Sequence, residues 1–85
     1  MATATASITP NPNSMKFSLD VKLPGSFNFS TPAAAAEHPF ARAVFEIEGV
    51  SSVFGVNDFV TVSRQPGAEW DRIIEGVTAA VGEHL

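Results

Sequence analysis

The 85-residue sequence contains no cysteine and no tyrosine. Without cysteine it has no disulfide framework, thiolate zinc site, redox Cys-x-x-Cys, cysteine nucleophile or cysteine-held iron–sulfur cluster of its own. Basic residues are scarce: five Lys and Arg stand against nine Asp and Glu, for a formal net charge of −4. Lys16, Lys22 and Arg42 slightly outnumber Asp20 and Glu37 in the first half. In residues 43–85, Arg64 and Arg72 face seven acids. No basic stripe exists to neutralise phosphates, which disfavours nucleic acid and anionic membranes as partners. No apolar run approaches the ~18–20 residues of a bilayer-spanning helix. The uncharged first fifteen residues are rich in Thr, Ser, Pro and Asn, with neither the basic start and apolar stretch of a signal peptide nor the arginines of a transit peptide. A cytoplasmic, soluble protein is the expectation.

What is present is a packed-domain composition, 45% hydrophobic and 16% charged, which is unlike a disordered chain. At this length a single domain spanning 1–85 is expected, and a monomer.

The pattern along the chain supplies the elements. Residues 3–9 are rich in β-branched residues and predict a strand. Pro10-Asn11-Pro12-Asn13-Ser14 predicts a stiff polar connection. Met15 to Val21 alternates apolar and polar over seven residues, so Met15, Phe17, Leu19 and Val21 should face a core. Pro24-Gly25 breaks that strand, and Phe27 and Phe29 share a face in the next short one. Thr31-Pro32 starts a turn, and Pro39 suits a fresh helix start. Phe40, Ala43, Val44 and Ile47 then recur at helical spacing, and Gly49 is placed to stop the helix. Val50–Val56 and Phe59–Arg64 predict a hairpin about Asn57-Asp58. From about residue 69 to 83, Trp70, Ile73, Ile74, Val77 and Val81 form the apolar stripe of a second helix, which Gly76 and Gly82 weaken by up to ~1 kcal/mol each. Arg72 lies three residues from both Glu69 and Glu75, a spacing that predicts exposed ion pairs. The result is an α+β two-layer sandwich in the order β-β-β-α-β-β-α, with a mainly antiparallel sheet and two helices on one of its faces.

Catalytic patterns are absent. There is no Gly-x-Ser-x-Gly elbow and no phosphate-binding Gly-x-x-x-x-Gly-Lys loop. Glu46 and Glu48 point apart on a helix. His38 lies beside Pro39, where a helix cap is the simple reading, and His84 lies at the terminus. Either His, with nearby carboxylates, is the basis of an alternative reading as a metal or small-ligand binding protein. Trp70 and most phenylalanines fall on apolar stripes and read as core. Phe45 and Phe54 fall off those stripes.

Three runs taken together resemble the N-terminal domain of Nfu-type (NifU-like) iron–sulfur scaffold proteins. They are Thr9-Pro10-Asn11-Pro12-Asn13-Ser14-Met15-Lys16-Phe17, then Pro39 through Phe54 with Ile47-Glu48-Gly49-Val50, then Asp58-Phe59-Val60-Thr61-Val62 with Trp70 following. The runs occur in the family's order and cover about residues 7–83. In that family the cluster is held by a Cys-x-x-Cys in a separate C-terminal domain. The resemblance therefore implies a freestanding or excised N-terminal-type domain that is not itself a cysteine-ligated cluster carrier. It implies a non-catalytic accessory or protein-interaction module linked to iron–sulfur cluster assembly, with no cofactor. Its partners would be assembly factors, client apoproteins or a separate Nfu-type C-terminal domain. Non-core residue types inside these runs give the candidate contact residues Asn11, Asn13, Lys16, Arg42, Phe54 and Asp58.

Overall fold

The computed structural model describes residues 3–23 and 25–85. Its elements are β1 (Ala4–Ile8), β2 (Ser14–Leu19), β3 (Phe27–Phe29), α1 (Pro39–Phe45), β4 (Val50–Val56), β5 (Phe59–Arg64) and α2 (Trp70–His84). The expected element order holds. Pro24, half of the expected strand break, lies outside the described residues.

All five strands form one antiparallel sheet in the order β1-β2-β5-β4-β3. Two hairpins make most of it. The β1–β2 connection is closed by Ser14 N–H donating to Asn11 O at 3.0 Å. The β4–β5 turn is made at Asn57, whose φ of 54° is tolerated by a short polar side chain. The hairpins join through β2 and β5, where Phe17 pairs with Val60 and Met15 with Val62. Alternation then puts Phe17, Val53, Val60 and Val62 on one face, all fully buried.

Both helices pack on that face, burying Phe40, Ala41 and Val44 from α1 and Ile73, Val77, Ala80 and Val81 from α2. Each fully buried large side chain contributes roughly 1.5–3 kcal/mol. His38 is the N-cap of α1: its Nδ1 accepts the Ala41 N–H at 3.2 Å, and Pro39 takes the first helical position. Gly49 ends the segment after α1 at φ +96°, a conformation that favours glycine.

Two expectations about α2 are corrected. Gly76 is a contact point as well as a weak spot in the helix. A Cβ there would lie 2.6 Å from Ile47 Cδ1, so glycine lets the chain after α1 press against α2. Arg72 pairs with neither Glu69 nor Glu75. Among the described residues the pairs within 4.0 Å are Arg42–Glu46 at 3.8 Å, with both side chains largely exposed, and His84–Glu83 at 3.9 Å, with the Glu83 side chain exposed and that of His84 partly covered; such pairs are worth little to stability.

Candidate functional site: the helix-free face of the sheet

Because both helices sit on one face, the odd-and-even alternation of each strand leaves the other face open. Lys16 and Ser18 of β2, Phe59, Thr61 and Ser63 of β5, and Ser52, Phe54 and Val56 of β4 share that side. The register aligns one row across all five strands: Ser7, Lys16, Thr61, Phe54 and Asn28. The next row holds Thr5, Ser18, Phe59 and Val56.

The centre of this face is aromatic and cationic. Lys16 Nζ lies 4.6 Å from the centroid of the Phe59 ring, and Phe54 and Phe59 tilt against each other at 6.4 Å between centroids. An exposed cation–π contact of this kind contributes about 0.5–1 kcal/mol. Phe54 remains 39% exposed. The chain as a whole carries −4, yet the row neighbours of Lys16, Ser7 and Thr61, are uncharged. Phe59 was expected in the core with the other phenylalanines. It is instead half-buried on the open face, and the signal was available, since it shares alternation with Thr61 and Ser63.

The six candidate contact residues do not form one site. Lys16 and Phe54 lie in the same row, separated by Thr61. Asp58 is exposed at the β4–β5 turn, where its carbonyl accepts the Leu19 N–H at 2.7 Å. It borders a shallow hollow of about 420 Å³ with Asp20 and Lys22. The Thr3 backbone N–H donates to Asp20 Oδ1 at 2.8 Å and holds that carboxyl below its ordinary pKa. Arg42 lies in the helix layer, beside Glu46.

Asn11 and Asn13 lie at the opposite end of the sheet from Asp58, and their side-chain oxygens are used internally. Asn11 Oδ1 accepts the Asn13 N–H at 2.9 Å, and Asn13 Oδ1 accepts from Arg64 Nε at 3.3 Å. Trp70 closes this corner. Its indole N–H donates to Pro12 O at 3.2 Å, and the Arg64 guanidinium lies over its ring at 5.3 Å. Trp70 is half-buried: it packs against the edge of the core, as its apolar stripe implied, and also pins the polar turn.

The two histidines line one cavity at the other end of the helix layer. His38 packs against Phe27 and Phe29 at 4.5 and 5.4 Å. With His84, Leu23, Phe27, Phe40 and Leu85 it lines a cavity of about 430 Å³. Among the described residues no group of three or more His, Asp or Glu side chains converges to hold a metal.

The same geometry can be set beside known proteins. The family described as "Scaffold protein Nfu/NifU N terminal" matches residues 5–85. The chain belongs to the Nfu/NifU N-terminal family. It is 43% identical over 76 residues to the NFU1 iron-sulfur cluster scaffold homolog, mitochondrial, of Drosophila willistoni, covering 86% of this chain and 26% of that protein. It is 40% identical over 81 residues to a NifU-like protein of Schizosaccharomyces pombe, covering 91% of this chain and 31% of the relative. The Nfu-type chain thus spans only about a quarter to a third of the length of these relatives.

Among solved structures, protein SAV1430 of Staphylococcus aureus superposes with a TM-score of 0.77 at 31% identity, covering 89% of this chain and 93% of that one. A NifU-like protein of Saccharomyces cerevisiae has the same fold, with a TM-score of 0.81 at 19% identity over 94% of this chain and 75% of its own. Family and fold agree with the resemblance carried by the three sequence runs.

Proposed function

We propose that this Nfu N-terminal domain is a non-catalytic contact module in iron–sulfur cluster assembly, and that its working surface is the helix-free sheet face around Lys16, Phe54 and Phe59. Membership of a family described as scaffold proteins, and relatives named as iron–sulfur cluster scaffolds, support the assembly link. The 85 residues hold no cysteine, so a cluster would be held on a partner's thiolates. The partner is an assembly factor, a client apoprotein or an Nfu-type C-terminal domain.

The observation that carries the choice of surface is Phe54, 39% exposed in the middle of a sheet row. A solvent-facing strand position favours a polar residue. An aromatic there, beside a cation stacked on a second aromatic, supplies the apolar centre and charge that protein interfaces concentrate. Asp58 at the sheet end is a candidate for the rim, where contacts are wetter and weaker.

The test is an NMR titration of the labelled chain with purified iron–sulfur assembly factors and client apoproteins. The expected result is shift perturbation at Lys16, Phe54, Phe59 and Thr61. Phe54→Ser and Lys16→Glu should each weaken binding at least tenfold while both variants stay folded, with melting temperatures lowered by no more than a few degrees. Perturbations confined to α1 and Arg42, or no binding by any of these proteins, would overturn the reading.

A further inference from the structure

The charges of this protein are divided between its two layers. No Asp or Glu lies in any of the five strands. The strands hold two charged residues, Lys16 and Arg64. Arg64 alternates with Val60 and Val62 toward the helix side, where its guanidinium lies over Trp70. Seven of the nine acids belong to the helices or to the segments flanking them. Asp20 and Asp58 lie past the strand ends. Asp20 is already engaged by the Thr3 N–H, and it stands four residues along from Lys16, about 13 Å at strand rise. On the strands, the helix-free face therefore carries one cation and no acid.

Beside that cation is a small apolar patch. Val56 pairs with Phe59, and the Phe54 ring tilts against that of Phe59. The neighbouring positions Ser18, Ser52, Thr61 and Ser63 are short side chains, and Phe54 remains exposed above them. Lys16 Nζ sits over Phe59 on the β2 side of the patch. The surface thus offers an aromatic anchor and a cation, in one row and two strands apart.

We propose that the occupant of this face is an amphipathic helix of the partner protein, laid across the strands. It places apolar residues at i and i+3 or i+4 on Phe54 and Phe59, and an Asp or Glu at i+7 against Lys16. The inference rests on the reading of this face as the working surface, and names the partner's chemistry.

Three observations select that occupant. The first is the backbone. Strand N–H and C=O groups lie in the plane of the sheet and bond to neighbouring strands, so an extended segment laid on the face would find no partners for its own. A helix carries its bonds internally. The second is charge. A wholly apolar partner would cover the Lys16 ammonium without an acceptor, which is costly. A second copy of this face would oppose one Lys16 with another and supply no acid. A carboxylate instead shares the ammonium with the Phe59 ring, and exclusion of water strengthens both contacts. The third is spacing. Two strand separations are about 9.6 Å, seven helical residues rise about 10.5 Å, and positions i, i+3, i+4 and i+7 share one helix side.

The test is a displayed library of Ala- and Gln-rich helices of about 18 residues, long enough to cross the five strands. Positions i, i+3, i+4, i+7 and i+11 of one stripe are randomised, and the library is panned against the intact chain. Recovered helices should carry an Asp or Glu seven residues from a large apolar residue. Panning against Lys16→Glu should recover Lys or Arg in place of the acid. A recovered peptide should bind the wild type at least tenfold more tightly than Lys16→Glu, and the same peptide with its acid replaced by Lys should reverse that preference. In the labelled chain it should shift Lys16, Phe54, Phe59 and Thr61 and leave the Ala4 and Ala6 amides of the β1 edge unmoved. Circular dichroism checks that Lys16→Glu is folded. Recovery of no helix, of helices without an enriched acid, or of the same sequences on both chains would overturn the proposal. So would binding at the β1 edge or the helix layer. The wider reading fails separately: assembly factors and client apoproteins that perturb Lys16 and Phe54 through an extended segment would keep this face as the working surface and remove the helix.

Discussion

Gly55 of β4 faces the helix side of the sheet between Val60 and Phe27. An added Cβ there would lie 2.5 Å from Phe27 Cε2, closer still to Phe27 Cζ, and 3.0 Å from Leu23 Cδ1. Comfortable carbon–carbon contact needs ~3.5–4.0 Å, so in Gly55→Ala the Phe27 ring must move by about an ångström. It has little room, with His38, Phe29 and Phe40 at 4.5, 5.7 and 6.1 Å between centroids. Overpacking of this sort costs ~1–3 kcal/mol. Restricting the unfolded chain returns about 0.4–1 kcal/mol. The net expectation is a loss of roughly 1–2 kcal/mol, which in a domain this size lowers Tm by about 4–8 °C per kcal/mol. Urea and thermal melts of four proteins (wild type, Gly55→Ala, Phe27→Ala and the double variant) form the assay. In the Phe27→Ala background the new methyl has space, so Gly55→Ala should become neutral or stabilising. An equal loss in both backgrounds, or a single variant at least as stable as wild type, would refute the close approach as the reason for glycine.

Three further outcomes follow from the same geometry. Trp70→Phe keeps a ring beside Arg64 but removes the donor to Pro12, and should cost about 1 kcal/mol in urea melts. Trp70→Ala also loses a half-buried ring and should cost roughly 2–4 kcal/mol. His38→Ala should destabilise by about 1 kcal/mol or more through loss of the α1 cap, and His38→Asn, which keeps an acceptor there, should lose less. Asp20, whose carboxyl is held low by the Thr3 N–H, stabilises the fold above the unfolded value of about 3.9 and loses that contribution as pH falls through its lower folded value. The small gap in melting temperature between wild type and Asp20→Asn should therefore be constant near neutrality and close at the acid end of a pH series.

The elements were legible because their signals are local. Met15 to Leu19 alternates whatever lies beside it. Pro39 starts a helix by its fixed φ, Gly49 and Asn57 accept positive φ, and the stripe from Ile73 to Val81 is a property of one helix. The family was legible from three ordered runs. The candidate surface was half legible. Lys16 and Phe54 stood out as non-core residues. Phe59 was grouped with the core phenylalanines although it alternates with Thr61 and Ser63, and Asn11 and Asn13 looked like free hydrogen-bonding groups. Their oxygens are taken up by Asn13 and Arg64, the second of these from 51 residues away, which no local pattern announces.

The sequence by itself determined which segments are strands and helices, that one sheet face must be buried, and that no thiolate can hold a cluster in these 85 residues. Those follow from side-chain period, backbone dihedral preference and composition. Only the tertiary structure decided that β2 and β5 are neighbours, and that Lys16, Thr61 and Phe54 stand in one row. Register between strands forty residues apart is set by jointly burying Phe17, Val53, Val60 and Val62. A one-residue slip would turn those side chains to water, and that cost exists only once the chain has closed on itself.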